Sequence, residues 1–153
     1  MSQPEQVRIL VIDDDESIRK TIPMILRHAG YVVDTAENGN QAISKSKENF
    51  YNLAIIDVRL PDMEGTDLLT LLHETTRRMV KIILTGYPSV ANAAKAVNKR
   101  ADYYLIKPVA SDEMLRVVKE CLDNQRRERE VDQKKVTQVI MARLEQISKE
   151  DLQ

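Results

Sequence analysis

The sequence predicts a doubly wound α/β fold, in which a five-stranded parallel sheet carries helices on both faces. Five apolar runs of strand length recur along the chain, and segments with helical spacing of apolar residues separate them. The runs are rich in Val, Ile, Leu and Tyr, which is typical of strands that are buried on both faces. Strict alternation of strand and helix favours a parallel sheet with helices on each side.

The elements follow in order along the chain. The predicted strands cover residues 7–12, 31–36, 53–57, 80–85 and 102–107. Three helices are indicated by apolar side chains that recur on one face, at residues 16–29, 64–74 and 89–99. Asn38 or Asn40 can cap a helix that runs through Glu48, and Ser111 or Asp112 can cap one that continues past Leu122.

The length and composition predict one compact domain and an extension. The chain has 153 residues, 42% of them hydrophobic, and residues 1–122 hold all five strands. Residues 123–135 are almost wholly polar, and apolar residues then return at 136, 139, 140, 144 and 147. We expect residues 123–153 to form a helical extension or linker, with a coiled coil as one alternative and a solvated tail as the other.

Several classes of protein are disfavoured by the composition. The formal net charge is -1, which argues against nucleic acid or an anionic membrane as the main partner. One cysteine cannot form a disulfide within the chain, and no apolar run is long enough to span a bilayer. The first residues lack the pattern of a signal peptide. The sequence therefore predicts a cytoplasmic protein.

Polar side chains stand where the predicted strands end. Three acids at 13–15 follow the first strand, Asp57 ends the third, Thr85 the fourth and Lys107 the fifth. Ligands of open parallel sheets bind outside the carboxyl ends of the strands, so these groups are expected at one rim. An alternative is that the acids at 13–15 only begin a helix, where negative charge is favourable.

A rim of this composition suits phosphoryl chemistry. Clustered carboxylates repel one another unless a cation neutralises them, and Mg²⁺ prefers sites with few carboxylates and several waters. A carboxylate can act as a nucleophile and form an aspartyl phosphate. Lys107 would then pair with the phosphoryl group, or with Asp57 when that group is absent. Neither a glycine-rich phosphate cradle nor a Ser-His-Asp pattern is present in the sequence.

Four motifs in this order, VIDDDES, IIDVRLPDMEG, ILTGY and YLIKP, resemble the receiver domain of two-component response regulators. The resemblance covers roughly residues 5–122 and implies a flavodoxin-like sheet with the strand order 2-1-3-4-5. It identifies Asp57 with the phosphoacceptor. It implies a Mg²⁺ site formed by Asp13, Asp14, Asp57 and the backbone carbonyl of Arg59, with Asp14 as a direct ligand and Asp13 acting through water.

The same resemblance assigns roles to residues near the other strand ends. Lys107 corresponds to the phosphate-binding lysine, and its bond to Pro108 is expected to be cis. Thr85 corresponds to the switch hydroxyl and Tyr104 to the switch aromatic residue. Gly65 follows the phosphorylation loop at a position where a residue without a Cβ is needed.

Two departures from the family pattern have consequences. The usual Gly-Ala-Asp turn before the last strand is Arg100-Ala101-Asp102 here, which predicts a turn built differently. Arg59 and Tyr87 lie two residues after the phosphoacceptor and the switch hydroxyl, at positions that flank the phosphoryl group in the family. A long arginine and a tyrosine there would shield the group from water, so we expect slow self-dephosphorylation.

The resemblance to receiver domains implies a signalling switch that is not a turnover enzyme. A sensor histidine kinase or phosphotransfer protein would phosphorylate Asp57, and the surface of helix 4, strand 5 and helix 5 would then change shape. Homodimers are predicted through that surface or through the C-terminal helix. The alternatives are a Mg²⁺-dependent phosphohydrolase with an aspartyl nucleophile, disfavoured because Arg59 stands where a second acid is usual, and a phosphorylation-independent dimerisation or adaptor module.

Overall fold

The structure, a computed structural model, describes residues 6–75 and 78–151 of the chain. The strands are β1 (Arg8–Ile12), β2 (Val32–Ala36), β3 (Leu53–Asp57), β4 (Val80–Thr85) and β5 (Tyr103–Ile106). The helices are α1 (Glu16–His28), α2 (Gly39–Glu48), α3 (Gly65–Thr75), α4 (Val90–Asn98) and α5 (Ser111–Asp151). Strands and helices alternate as the sequence predicts, because each apolar run is interrupted by a segment with helical periodicity.

The five strands form one parallel sheet in the order β2-β1-β3-β4-β5, which confirms the predicted fold. At its carboxyl end β1 is paired on both sides, since Ile12 lies opposite Ala36 of β2 and Ile56 of β3. From β1 the sheet extends in two directions, with β2 on one side and β3, β4 and β5 on the other. The ends of β1 and β3 therefore lie side by side at the point where ligands bind in doubly wound sheets.

The two faces of the sheet carry separate hydrophobic cores. Alternate strand residues such as Ile9 and Val11 pack with α1 and α5, whereas Leu10 and Ile12 pack with α2, α3 and α4. Cys121 of α5 is buried in the first of these cores. Tyr103 and Tyr104 point to opposite faces for the same reason, because successive side chains of a strand alternate. Burial on both faces fixes the carboxyl ends of β1, β3 and β4.

The free edge of β2 is covered by two cationic side chains. The carbonyls of Val33 and Thr35 point away from β1, because the backbone of Val32 and Ala36 bonds to the residues that flank β1, at positions 7 and 13. Arg27 of α1 donates to the Val33 carbonyl at 2.8 Å, and Lys45 of α2 donates to the Thr35 carbonyl. Exposed strand edges template pairing with other chains, and charged residues that cover them oppose it.

The turn between α4 and β5 keeps a left-handed residue although the expected glycine is missing. Arg100 has a φ of 66°. Its N–H donates to the Val97 carbonyl, and the Ala101 N–H donates to the Ala96 carbonyl at 2.9 Å. This is the Schellman arrangement, in which glycine usually occupies the left-handed position. The turn is thus a Schellman motif with an arginine in a strained conformation. The expected difference from the turn of other receiver domains stays a prediction.

By its internal contacts the chain divides into two compact units, Met1–Leu122 and Asp123–Gln153. In the first unit α5 buries Met114, Val117 and Val118 against the sheet. In the second unit α5 is helical through Asp151, and residues 130–150 are all exposed. Among the described residues, no helix combines the length and apolar character that crossing a membrane requires.

Candidate functional site

Two of the three adjacent acids after β1 belong to the rim, and the third caps a helix. Asp15 accepts a hydrogen bond from the Ser17 N–H at 2.8 Å and begins α1. Asp13 is only 1% exposed, and one of its oxygens accepts from the Asp15 N–H at 2.9 Å. Asp14 is exposed at the mouth of the site. The structure thus separates a capping acid from two acids that are available for other chemistry.

Asp57 is the last residue of β3 and lies at the carboxyl edge of the sheet, 9% exposed. Its backbone is fixed by a close approach of α3: the Gly65 N–H donates to the Val58 carbonyl at 2.6 Å. A Cβ at Gly65 would overlap the Asp57 carbonyl oxygen, so no other residue fits there. The prediction that this position needs a residue without a Cβ is confirmed.

Lys107 joins the acids of the two neighbouring strands. Its ammonium lies 2.8 Å from an oxygen of Asp13 and 3.8 Å from an oxygen of Asp57. The bond from Lys107 to Pro108 is cis, as predicted. The expected pairing with Asp57 is present at the longer distance, whereas the hydrogen bond goes to Asp13. The lysine thus contacts both acids at once.

The charges of the rim shift the ionisation of its members. Burial, helped by the negative charge of Asp13, raises the pKa of Asp57 to about 6, although the positive charge of Lys107 acts in the opposite direction. Burial alone would lower the pKa of Lys107, but its hydrogen bond to Asp13 and the charges of both acids raise it above the ordinary value. The acids therefore attract a cation.

The cluster also suits a divalent metal ion. One carboxylate oxygen from each of Asp13, Asp14 and Asp57 lies within 4.8 Å of the others. Three hard oxygen donors with excess negative charge match the preference of Mg²⁺, which binds a few carboxylates and keeps waters in its remaining positions. The donor set therefore fits the predicted ion. The backbone carbonyl of Arg59 stays a prediction as a further ligand.

The predicted switch residues lie on β4 and β5, next to the acids. Thr85 ends β4, is 1% exposed, and its Oγ accepts from the Tyr87 N–H at 3.0 Å. Tyr104 of β5 packs on the core under α2, α3 and α4. Within the part of the chain that the structure describes, its buried hydroxyl has no hydrogen-bond partner. A buried unpaired hydroxyl is unfavourable. The switch roles of Thr85 and Tyr104 stay predictions.

Two features of the rim were not predicted. Asp62, in the loop after β3, accepts hydrogen bonds from the Gly39 and Asn40 N–H groups at 2.9 Å, and these bonds lower its pKa. The loop that holds Asp57 is thereby tied to the start of α2. The guanidinium of Arg59 stacks on the Tyr87 ring, 4.2 Å from its centroid. The free N–H groups of a helix that begins at Gly39 are the one signal that could have indicated the first feature.

A buried carboxylate at the switch point of a doubly wound sheet, with two further acids and a lysine around it, defines a phosphoryl-accepting or cation-binding α/β domain. The family model of the response regulator receiver domain matches residues 9–119. The chain belongs to this family, whose members act as phosphorylation-activated switches in two-component signalling.

Known relatives agree with this assignment. The chain is 37% identical over 122 residues to the transcriptional regulatory protein ZraR of Klebsiella oxytoca, which corresponds to 80% of this chain and 28% of that protein. It spans about half the length of two further curated relatives that it matches. Functions that reside elsewhere in those longer proteins are not carried over to this chain.

Solved structures with this fold include close matches over the receiver unit. A CheY-like receiver domain protein from Methanospirillum hungatei is 41% identical, with a TM-score of 0.79, over 81% of this chain and 99% of that one. A Burkholderia pseudomallei response regulator with a phosphorylated aspartic acid and a calcium ion is 28% identical, with a TM-score of 0.71, over 83% and 75%. The beryllofluoride-activated NtrC4 receiver domain dimer is 36% identical, with a TM-score of 0.74, over 77% and 98%.

Proposed function

We propose that the chain is a signalling switch that accepts a phosphoryl group on Asp57 with the help of Mg²⁺. The observation that carries this proposal is the convergence of three carboxylates and Lys107 at one sheet edge. A similar protein has been solved with a phosphorylated aspartic acid and a divalent cation, which supports the same chemistry here. Residues 1–122 form the proposed receiver domain and residues 123–153 a helical extension.

In the proposed reaction an oxygen of Asp57 attacks the phosphorus of the donor. The new bond joins that oxygen to phosphorus, and the bond from phosphorus to the donor's nitrogen or oxygen breaks, so the donor leaves with its electron pair. With a pKa of about 6 the Asp57 carboxyl is mostly ionised at neutral pH, as a nucleophile must be. Mg²⁺, held by Asp13, Asp14 and Asp57, would offset charge on the transferring oxygens. Lys107 would hold a phosphoryl oxygen.

The proposed donor is a sensor histidine kinase or a phosphotransfer protein. An apolar groove of about 480 Å³ opens next to Lys107, between α1 and the start of α5. Ile18, Ile22 and Pro108 line it, together with the hydroxyl-bearing residues Ser17 and Thr21. This apolar surface includes Lys107, whose ammonium lies 3.8 Å from Asp57, and it offers a place where a protein donor can dock and align its phosphohistidine.

The proposed output involves α4 and β5. Thr85 would donate a hydrogen bond from its hydroxyl to a phosphoryl oxygen, and Tyr104 would move with it. Three apolar residues on this side are exposed: Val90 of α4 by 89%, Val97 of α4 by 73% and Ile106 of β5 by 53%. Exposed apolar groups on a switching face indicate a partner surface, and homodimerisation through α4, β5 and α5 is one proposed use.

The C-terminal helix is the second proposed dimer contact. Its apolar residues are exposed by 40% to 70%, and they are Val131, Val136, Val139, Ile140, Met141, Leu144 and Ile147. Five of them, at 136, 139, 140, 144 and 147, recur at helical spacing, and such a stripe suits pairing with a second helix. Sedimentation of the chain with and without residues 123–153 tests this contact. A monomer in both cases would contradict it.

The proposed reaction is tested by intact mass after incubation with acetyl phosphate and Mg²⁺. We expect a gain of one phosphoryl group, roughly 80 Da, that is lost in Asp57→Asn and in the presence of EDTA. A gain that persists in Asp57→Asn would place the phosphoryl group elsewhere. No gain in the wild type, with acetyl phosphate or with a phosphorylated histidine donor, would favour a phosphorylation-independent adaptor. Steady release of phosphate from a phosphomonoester would favour the phosphohydrolase.

A further inference from the structure

Arg19 of α1 binds the main chain at the carboxyl end of β1, where the acidic cluster begins. Its guanidinium donates a hydrogen bond to the Asp13 carbonyl oxygen at 3.0 Å. The guanidinium also lies 3.6 Å from a carboxylate oxygen of Glu37, in the loop between β2 and α2. Arg19 therefore contacts the peptide group that joins Asp13 to Asp14, and it forms an ion pair with an acid outside the cluster.

The main chain and the side chain of Asp13 are held by separate contacts. Its N–H donates to the Ala36 carbonyl at 3.1 Å, and its carbonyl accepts from Arg19. One carboxylate oxygen accepts from the Asp15 N–H at 2.9 Å, and the other accepts from Lys107 at 2.8 Å. Loss of the guanidinium would therefore release the carbonyl of Asp13 while its carboxylate keeps both of its own hydrogen bonds.

The position of Asp14 depends on the peptide group that Arg19 holds. Asp14 is exposed, whereas Asp13 and Asp57 lie deeper in the rim. A peptide group is planar and moves as a unit, so rotation of the Asp13–Asp14 peptide would turn the side chain of Asp14. In the structure one oxygen of Asp14 lies within 4.8 Å of oxygens from the other two acids. The hydrogen bond from Arg19 thus maintains this approach of the exposed acid to the deeper pair.

We propose that Arg19 is a positioning residue for the Mg²⁺ site, which holds the Asp13–Asp14 peptide group so that both side chains present their oxygens to one ion. This rests on the proposed role of the acidic cluster in binding Mg²⁺. Arg19 does not ligate the ion, and it acts on the ligands through their main chain. Removal of groups that orient metal ligands typically weakens metal binding by about 10- to 100-fold.

The charge of Arg19 separates this proposal from a purely electrostatic role. A guanidinium close to the cluster repels a divalent cation, so its removal would tighten Mg²⁺ binding if charge were its only influence. Loss of positioning has the opposite effect. Glu37 offsets part of the positive charge, and we therefore expect the loss of positioning to dominate. Weaker Mg²⁺ binding after removal of the guanidinium is the result that only positioning predicts.

The test is calorimetric titration of the full chain with MgCl₂, in the wild type, Arg19→Met and Arg27→Met. Arg27 is the matched control, because it lies on the same helix and donates to the Val33 carbonyl at 2.8 Å, on the edge strand β2. We expect Arg19→Met to raise the Kd for Mg²⁺ about tenfold and Arg27→Met to leave it unchanged. An unchanged or lower Kd in Arg19→Met, or an equal rise in both variants, would overturn the proposal.

Two further variants complete the titration. Arg19→Lys keeps the charge and a donor, so its Kd should lie within about threefold of the wild-type value. A lysine variant that binds Mg²⁺ as weakly as Arg19→Met would contradict the proposal. Thermal unfolding in EDTA shows whether each variant is folded at the titration temperature. If Arg19→Met is not, Arg19→Gln replaces it under the same criteria.

Phosphorylation by acetyl phosphate gives a second readout. In Arg19→Met the Mg²⁺ concentration that gives half the maximal rate should rise about tenfold, whereas the rate at saturating Mg²⁺ should equal that of the wild type. A lower rate at saturating Mg²⁺ with an unchanged Mg²⁺ requirement would refute positioning. If the wild type binds no Mg²⁺, the proposed function fails and this proposal with it. Wild-type binding that Arg19→Met retains in full refutes only the role of Arg19.

Discussion

Replacing Asp57 by asparagine should stabilise the metal-free protein. The folded protein raises the pKa of Asp57 from 3.8 to about 6, because the carboxyl is buried beside Asp13. A shift of about two units corresponds to ~3 kcal/mol of folding free energy that is lost when the group is ionised. Asparagine has a similar shape and no charge. We therefore expect Asp57→Asn to raise the melting temperature by about 5–10 °C at pH 8 in EDTA.

The stability gained by Asp57→Asn should depend on pH. Below pH 4 the carboxyl is protonated in both folded and unfolded chains, and the variant gains nothing from the missing charge. Between pH 4 and 6 the unfolded chain loses its proton first, so the wild type loses stability relative to Asp57→Asn as the pH rises. Above pH 6 the difference in the free energy of unfolding between Asp57→Asn and the wild type becomes constant.

Thermal unfolding followed by circular dichroism from pH 4 to 8 measures this difference. Asp14→Asn is the matched control. Because Asp14 is exposed, its replacement should raise the melting temperature less. Mg²⁺ should reduce the advantage of Asp57→Asn, because the ion stabilises the ionised wild type. A variant that is no more stable than the wild type at pH 8 in EDTA would refute the reasoning.

Three further predictions concern the fold around the site. Arg100→Gly should raise the free energy of unfolding by about 1 kcal/mol in urea titrations, because glycine relieves the left-handed strain at a φ of 66°. Gly65→Ala should lower it by about 2–3 kcal/mol and reduce phosphorylation measured by intact mass, because its Cβ meets backbone that cannot rotate away. Arg27→Met with Lys45→Met should cause concentration-dependent association in sedimentation velocity, by uncovering the β2 edge, whereas Lys47→Met should not.

The sequence was sufficient to predict the fold, because each strand is an apolar run and each helix has its own periodicity. The residues of the rim could also be predicted, since Asp13, Asp57, Thr85 and Lys107 all follow or end a strand. The strand order came from the resemblance to receiver domains. Apolar periodicity does not distinguish which parallel strand lies beside which.

Contacts between side chains could not be predicted in this way. The hydrogen bond of Lys107 to Asp13, and not to Asp57, depends on differences of about one ångström. Lys81 lies within a run that predicts a buried strand, and it is indeed 2% exposed, with a pKa lowered to about 8 by burial. Its backbone N–H donates a hydrogen bond to the Asp102 carboxylate at 2.8 Å. Only the three-dimensional structure brings these two residues together.

The measurement that tests the central claim most directly is the chemical location of the phosphoryl group. An acyl phosphate is reduced by borohydride to an alcohol, so phosphorylated Asp57 becomes homoserine, which peptide mass spectrometry can assign to a residue. After acetyl phosphate and Mg²⁺ we predict homoserine at position 57, and none when EDTA is present. Homoserine at Asp13 or Asp14 in place of Asp57, or the same yield without a divalent cation, would contradict the account.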